Sequence, residues 1–146
     1  MATRSIDVIV IRRANAADSA ALASLLAELG YPSTADAVER RIPQVTSIAA
    51  AFMAEVYESP AGFATVHLLN VIHHDRPMAI LSALVVRESH RGQGCGRRLV
   101  KAAEAWARGE GAYRITVTSA LARAEAHGFY ERLGYEHTGR RYSRLL

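Results

Sequence analysis

Three glycines alternate with other residues in a short, arginine-rich stretch of the chain. Residues 91–98 read Arg-Gly-Gln-Gly-Cys-Gly-Arg-Arg, and a helical apolar pattern follows them. Without Cβ atoms, such a chain can curl until successive backbone N–H groups point into one concavity. The unpaired N–H groups and the positive dipole end of the following helix face the same place. Together with the arginine side chains, this predicts a cradle for a pyrophosphate group.

The spacing of the glycines excludes two common nucleotide-binding loops. A Walker A loop needs Lys and then Ser or Thr after its last glycine, whereas Gly96 is followed by two arginines. A dinucleotide-binding fingerprint needs glycine at position 97 and an acidic residue after the next strand, and residues 118–120 (Thr-Ser-Ala) contain none. A tight turn that binds nothing is the remaining alternative, but it does not require three glycines flanked by arginines.

Residues 84–86 and the loop after them resemble the coenzyme A motif of the GCN5-related N-acetyltransferase (GNAT) family. The family pattern Gln/Arg-x-x-Gly-x-Gly/Ala is matched from Arg91 to Gly96, and the stretch Ala126–Tyr135 resembles the family's Phe-Tyr-x-x-x-Gly-Phe signature. The resemblance is specific over roughly residues 78–136 and weak before them. It implies that backbone groups of Leu84, Val85 and Val86 contact the pantetheine arm. It also implies that the pyrophosphate is held by Arg91, Gly92, Gln93, Gly94, Cys95, Gly96 and Arg97.

The resemblance also implies an enzyme and a reaction. GNAT proteins transfer the acetyl group of acetyl-CoA directly to a primary amine, here of a small molecule or an amino terminus, and the chemistry needs no metal. Tyr130 corresponds to the family's catalytic or thiol-contacting tyrosine. A phenol with a pKa of ~10 keeps its proton at neutral pH and can protonate the departing thiolate. The alternative for Tyr130 is an amphipathic core aromatic whose hydroxyl has a local partner.

The general base is left open by the sequence. Many relatives carry Glu two residues before the equivalent of Leu84, and this chain has Ser82 there. A serine is a weak base unless a neighbour activates it, so a water chain or another residue is the fallback. Imidazoles have suitable intrinsic pKa values; the candidates are His67, His73, His74 and His127.

Two other residues near the motifs have uncertain roles. Arg123 lies where many relatives place an asparagine that contacts the cofactor, and it is equally compatible with a solvated helix face. Cys95 lies at a helix start, an environment expected to lower the pKa of a thiol. Because the reaction needs no acetyl-cysteine, we interpret Cys95 as a small filler.

These residues have to be positioned by a β-α-α-β-β-β-α-β-α-β chain, which predicts an α/β fold with a mixed sheet and helices on both faces. The resemblance identifies it with the GNAT acyl-CoA N-acyltransferase fold. The predicted strands are Ile6–Ile11, Ile48–Glu58, Phe63–Val71, Met78–Val86, Tyr113–Thr118 and Tyr135–Leu146, with a turn at Ser59–Gly62. Four helices are predicted. The first follows an Asn15–Asp18 cap and ends at Gly30, and the second spans Ser33–Val45 but is cut short by Pro43. The third follows Gly96 and ends by Gly109 or Gly111, and the fourth spans roughly Leu121–Leu133.

Length and composition favour one domain over residues 1–146. The chain has 146 residues, of which 50% are hydrophobic and 22% charged, so wholesale disorder is excluded. One cysteine permits neither an intrachain disulfide nor a cysteine metal cage. No apolar run approaches the ~20 residues of a membrane helix, and the N-terminus does not resemble a signal peptide. We expect a cytoplasmic protein without a membrane partner, and a homodimer is a possibility from the family.

The charge balance raises a competing function. The net charge is +4, and 17 of the 18 cationic residues are arginine, which suits anionic ligands. The arginines are scattered in pairs without interleaved aromatic residues, so we predict no nucleic-acid partner. A second alternative is a non-catalytic acyl-CoA sensor on the same scaffold, suggested by the missing carboxylate at Ser82.

Overall fold

The computed structural model describes residues 8–118 and 124–146 of the chain. These residues contain five strands and four α-helices, with short 3-10 turns at Ala16–Asp18 and Glu88–His90. The strands are β1 (Ile9–Arg13), β2 (Ala49–Val56), β3 (Ser59–Leu69), β4 (Met78–Val86) and β5 (Arg114–Val117). The helices are α1 (Ser19–Leu29), α2 (Ala35–Thr46), α3 (Cys95–Gly109) and α4 (Ala124–Arg132).

The five strands form one sheet in the order β1-β2-β3-β4-β5. The first four run antiparallel to their neighbours. The Tyr113 N–H donates to the Pro77 carbonyl oxygen at 3.0 Å, which joins the start of β5 to the start of β4. Because α3 returns the chain from the end of β4 to that point, β5 runs parallel to β4. The prediction of a mixed sheet is therefore confirmed.

Helices cover both faces of this sheet, as predicted. On one face, α1 and α2 enclose a cluster of buried apolar residues with β2, β3 and β4: Leu22, Leu25, Val38, Met53, Phe63 and Val85. Successive strand residues point to opposite faces, so Gly62 faces away from the cluster that contains Phe63. A Cβ atom on Gly62 would lie 3.4 Å from the Leu99 side chain of α3. The second face is therefore covered by α3.

The first helix has the capping residues that the sequence predicts. The Asn15 side chain accepts from the Ala17 N–H at 2.9 Å, and the Asp18 carboxylate accepts from the Asn15 N–H at 2.8 Å. This capping box belongs to the 3-10 turn that leads into α1. Gly30 ends α1 with φ of 100°, the left-handed conformation that favours glycine. The preceding strand, β1, extends through Arg13 rather than ending at Ile11, and residues 6 and 7 of the predicted strand lie outside the described residues.

The prediction that Pro43 cuts the second helix short was wrong. Pro43 lies inside α2, which continues to Thr46. A proline removes one backbone hydrogen bond from a helix and crowds the preceding turn. The effect on α2 is small because the helix ends only three residues later. The helix also begins later than predicted, because the Thr34 hydroxyl caps it by accepting from the Ala37 N–H at 3.1 Å.

The β2–β3 hairpin turns two residues earlier than predicted. Tyr57 and Glu58 have φ of 47° and 66°, and Val56 pairs with Ser59 across them. Two consecutive positive φ angles give a turn whose twist matches the paired strands. Residues 59–62, predicted as the turn, belong instead to β3. The proline there is accommodated beside a bulge, since Pro60 pairs with Glu55 and Gly62 with Ala54.

The chain divides into two compact units, Met1–Thr116 and Val117–Leu146. The prediction of one domain over residues 1–146 stays a prediction. In the second unit, α4 matches the later part of the predicted last helix, and Gly134 follows it with φ of 88°. The predicted final strand Tyr135–Leu146 was wrong, because these residues form no regular structure. The segment contains neither valine nor isoleucine, the residues that favour strands most.

Candidate functional site

The glycine-rich loop joins β4 to α3 and has the backbone conformation expected of an anion cradle. Gly92 and Gly94 have φ of 77° and 97°, a region that costs other L-residues roughly 1–2 kcal/mol. Gly94 occupies the N-cap position of α3 without a side chain to cap it, and the Arg98 N–H donates to its carbonyl oxygen at 3.1 Å. The N–H groups of Cys95, Gly96 and Arg97 precede that first helical bond and therefore have no acceptor within the helix.

Two of the arginines beside the loop are held by backbone carbonyl groups. Arg91 donates through Nε to the Val86 carbonyl oxygen at 3.2 Å. Arg98 donates through Nη1 to the Ile9 carbonyl oxygen of β1 at 2.6 Å. Arg97 is exposed in the first turn of α3. The structure thus ties Arg98 to the sheet and leaves Arg97 as an exposed cation at the N-terminal end of the helix.

The backbone of Leu84 and Val86 faces away from β3. The Arg87 N–H donates to the Ala61 carbonyl oxygen of β3 at 2.7 Å. Since backbone groups alternate along a strand, Val85 points the same way as Arg87, whereas Leu84 and Val86 point to the β5 side. β5 has four residues against nine in β4 and starts beside the start of β4. β5, which ends at Val117, therefore lies beside only the first half of β4. The Leu84 and Val86 backbone groups, near the loop, lie past that end.

Gly62 allows β3 to approach this part of β4 closely. It pairs with Val86, and a Cβ atom there would lie 2.5 Å from the Val85 carbonyl oxygen and 3.2 Å from the Val86 Cα atom. No side chain fits at this point without moving β4. Sequence reasoning missed Gly62, and the available signal was a glycine inside a strand, which often marks a close backbone approach.

Ser82 lies in a β-bulge of β4. Leu81 pairs with Val66 and Ala83 with Thr65, so Ser82 is the extra residue. Its Oγ atom lies 2.6 Å from the Thr65 Oγ1 atom and donates to the Thr65 carbonyl oxygen at 3.3 Å. The hydroxyl is exposed. Its neighbour is another hydroxyl group rather than a carboxylate or an imidazole, so this contact does not make Ser82 a stronger base.

The histidines considered as bases are spread over the fold. His67 of β3 is half-buried, and burial lowers the pKa of its imidazole, which favours the neutral form. His74 lies in the turn before β4, where its ring stacks on Tyr113 at 3.7 Å. That turn is at the opposite end of β4 from Leu84, roughly 20 Å away at the rise of a strand. The structure therefore does not bring His73 and His74 to the loop.

Cys95 is a core residue rather than an activated thiol. The residue is 1% exposed. Burial raises the pKa of the thiol, although the Arg98 charge and a backbone hydrogen bond act in the opposite direction. The prediction that the helix start lowers its pKa was wrong, because desolvation of the thiolate is the larger effect.

Tyr130 lies in the second unit, half-buried in α4. Its ring meets those of Phe129 and Tyr135 edge-on, with centroids 5.2 and 5.8 Å apart. Its carbonyl oxygen accepts from the N–H groups of Leu133 and Tyr135 at the end of the helix. His127 lies one turn earlier in α4, and Arg123 lies outside the described residues.

In residues 8–118 and 124–146, no group of three or more His, Cys, Asp or Glu side chains could hold a metal ion. Across the same ranges, no helix has the length and apolar character that a membrane crossing requires.

A sequence model of the Acetyltransferase (GNAT) family matches residues 21–135. The chain belongs to this family. It is 31% identical over 139 residues to aminoglycoside N(6′)-acetyltransferase type 1 of Stenotrophomonas maltophilia, covering 89% of this chain and 88% of that protein. It is 33% identical over 85 residues to an aminoalkylphosphonate N-acetyltransferase of Salmonella typhimurium, covering 58% and 55%.

Solved structures show the same GNAT fold. A transcriptional regulator from Bacillus halodurans C-125 has a TM-score of 0.86 at 23% identity, covering 94% of this chain and 99% of that one. An aminoglycoside N-acetyltransferase in complex with CoA has a TM-score of 0.83 at 21% identity, covering 94% of each chain. The predicted family, fold and enzyme class, an acetyl-CoA-dependent N-acetyltransferase, are confirmed.

Proposed function

We propose that this GNAT protein transfers the acetyl group of acetyl-CoA directly to a primary amine of a small molecule, with Tyr130 as general acid. The observation that carries the proposal is the loop between β4 and α3. Gly92 and Gly94 adopt positive φ there, and Gly94 leaves the first turn of α3 without a side-chain cap. An uncapped helix start beside a left-handed glycine turn suits a pyrophosphate.

The end of β4 suits the other parts of the co-substrate. The Leu84 and Val86 backbone groups, which point away from β3, have the alternation needed to bond an extended pantetheine amide as a further strand would. The same N–H groups are candidates for stabilising the oxyanion that forms on the thioester carbonyl. We assign Arg97, exposed at the start of α3, to the phosphates.

The transfer requires one bond to form and one to break. The amine nitrogen attacks the thioester carbonyl carbon, and the carbon–sulfur bond then breaks with its electron pair on sulfur. We assign the proton that neutralises this thiolate to the Tyr130 phenol. Within the described residues, the Ser82 hydroxyl contacts a hydroxyl and a carbonyl oxygen, and we assign removal of the amine proton to water. Holding both substrates together supplies much of the acceleration.

The acceptor is proposed from the relatives. One relative is named for aminoglycosides and another for aminoalkylphosphonates. The alignment with the first covers most of both chains, so we propose a polycationic amine such as an aminoglycoside as the first acceptor to test. An aminoalkylphosphonate is the matched alternative, because it carries a primary amine beside an anionic group.

Two measurements test the proposal in sequence. Thermal unfolding with CoA and with acetyl-CoA comes first, and a ligand at 100 times its Kd raises the free energy of unfolding by about 2.7 kcal/mol. Thiol release from acetyl-CoA in the presence of each amine then identifies the acceptor. Tyr130→Phe should lower kcat by on the order of 100-fold or more without weakening CoA binding. Tyr135→Phe is the matched control and should retain kcat. Absence of stabilisation by either ligand would contradict the proposal.

A non-catalytic acyl-CoA sensor is the second candidate, favoured by the serine at the bulge where many relatives carry a carboxylate. Such a protein would bind CoA and release no thiol with any amine. Tyr130→Phe would then change neither property. Acetylation of a single amine by the wild-type protein, detected by mass spectrometry, excludes this function.

A further inference from the structure

The first residues of the glycine-rich loop are held by α1 through the side chain of Arg87. Its Nη1 atom donates to the Ser24 hydroxyl at 3.0 Å and to the Glu28 carboxylate at 3.4 Å. Its Nε atom donates to the Pro60 carbonyl oxygen of β3 at 3.2 Å. One guanidinium group therefore joins α1 and β3 at the residue that directly follows β4.

Glu28 makes a second contact with the same segment. Its Oε1 atom accepts from the Glu88 N–H at 3.2 Å, while its Oε2 atom pairs with Arg87. Glu88 begins the 3-10 turn Glu88–His90, so its N–H is at a position where a helical turn supplies no acceptor. The two oxygens of one carboxylate thus hold two consecutive residues, five and four positions before Gly92.

This arrangement contributes little to global stability. The Arg87 and Glu28 side chains are 28% and 30% exposed, and ion pairs of such exposure contribute on the order of 1 kcal/mol or less. The helix α1 is already fixed on the sheet by Leu22 and Leu25 in the buried cluster. The contacts matter instead for position, because they fix where the loop leaves the sheet.

We propose that Glu28 and Arg87 are positioning residues for the co-substrate, fixing the start of the loop so that its N–H groups are arranged before the pyrophosphate arrives. The inference rests on the proposed function of that loop. A loop that is ordered in advance loses less conformational freedom on binding and so binds more tightly. Loss of either side chain weakens the affinity for CoA, whereas kcat at saturating acetyl-CoA is retained.

The test compares CoA binding in wild type, Glu28→Ala, Arg87→Ala and the double variant by isothermal titration calorimetry. Each single variant should raise the Kd by roughly 5- to 20-fold, and the double variant should be no weaker than the worse single one, because the two side chains act as a unit. Glu28→Gln keeps an acceptor for the Glu88 N–H and should lie between wild type and Glu28→Ala. The Glu28→Gln variant also tests the proposal if Arg87→Ala does not fold.

Asp18→Asn is the matched control. Asp18 pairs with Arg12 at 2.7 Å in the same unit, and Arg12 lies in β1, which β2 and β3 separate from β4. This variant should lower the melting temperature and leave the Kd for CoA unchanged. Glu28→Ala should show the reverse, a raised Kd with a melting temperature within a few degrees of wild type.

A readout without ligand separates this inference from the proposed function. Amide hydrogen exchange at Glu88 and residues 91–94 should be faster in Glu28→Ala than in wild type. Unchanged exchange, or a Kd within twofold of wild type in both single variants, overturns the positioning role. A wild-type protein that binds no CoA overturns the proposed function first, and exchange at the loop then shows separately whether Glu28 holds it.

Discussion

Cys95 lies between two glycines of the glycine-rich loop, yet it belongs to the buried core and is 1% exposed. Burial raises the pKa of its thiol, so at any given pH the folded protein carries less thiolate than a free cysteine does. An acyl-cysteine intermediate is therefore disfavoured by both access and protonation.

We expect Cys95 in the folded protein to react with a disulfide reagent at pH 8 at no more than about a tenth of its rate in urea. Cys95→Ala should retain CoA affinity and kcat within about threefold, and should lower the free energy of unfolding by roughly 1 kcal/mol because a small buried group is lost. Stopped-flow absorbance gives the reaction rate, and denaturant titration gives the stability. Fast modification of the folded protein would contradict the burial of this thiol.

Single residues differ in how far the sequence predicts their roles. Gly92 and Gly94 were predictable, because only glycine adopts their φ of 77° and 97° without strain. The Glu28–Arg87 pair was not, since 59 residues separate its members along the chain. The Ser82 contact with Thr65 also depends on a bulge that residue types do not specify.

At the scale of elements, β4 is positioned by its neighbour β3 as much as by its own sequence. Gly62 of β3 lies opposite Val86 and leaves no room for a Cβ atom, which would be 2.5 Å from the Val85 carbonyl oxygen. Gly62→Ala must displace the end of β4 that carries the Leu84 and Val86 backbone groups. A backbone shift of this kind typically costs about 1–3 kcal/mol.

Gly62→Ala should therefore lower the free energy of unfolding by about 2–3 kcal/mol and weaken CoA binding at least tenfold. The matched control is Gly109→Ala at the end of α3, where the added Cβ would have no atom within 4 Å apart from its chain neighbours and the backbone of its own helix. That substitution should change stability by less than about 1 kcal/mol and leave the Kd unchanged. Denaturant titration and calorimetry with CoA measure both effects. Equal behaviour of the two variants would contradict the close approach.

Elements were predictable where local signals agree with tertiary packing. The Asn15–Asp18 cap and Gly30 bound the first helix as expected. The expectation from Pro43 was wrong, because a proline near the end of a helix costs the helix little backbone hydrogen bonding. In addition, α2 packs on the buried cluster through Val38. The turn at Tyr57 and Glu58 has positive φ at two residues that rarely adopt it, so strand pairing rather than residue type determines the hairpin.

At the scale of the whole molecule, part of the cationic charge behind the net +4 is paired within the protein. Several arginines are engaged by the protein itself. Arg12 bonds to Asp18 and Glu55, and Arg87 to Glu28, while Arg91 and Arg98 donate to backbone carbonyl groups. Pairing of this kind removes cations from the set that a nucleic acid could use, and the absence of a nucleic-acid partner stays a prediction.

Two substitutions that change the net charge equally can distinguish CoA binding by a local cradle from CoA attraction by the net charge of the whole molecule. Arg97 lies in the first turn of α3 and Arg108 in its last, about 17 Å apart at the helical rise. Each change to alanine lowers the net charge from +4 to +3. If the loop holds the phosphates, Arg97→Ala should weaken CoA binding roughly 5- to 20-fold, the loss expected for one charge-assisted contact. Arg108→Ala should change it by less than twofold, because the distance exceeds the screening length of ~8 Å at physiological salt.

The measurement is calorimetry with CoA at 50 and 300 mM NaCl, together with fluorescence anisotropy of a labelled DNA duplex. Higher salt should weaken CoA binding by less than about tenfold, since contacts within a cradle are screened less than exposed charges. Any duplex binding at 50 mM NaCl should be non-specific and should therefore fall steeply by 300 mM, as binding through counterion release does. Equal losses of CoA affinity in Arg97→Ala and Arg108→Ala would mean that the summed charge, and not the start of α3, attracts the anion. The pyrophosphate would then have to be placed elsewhere on the protein.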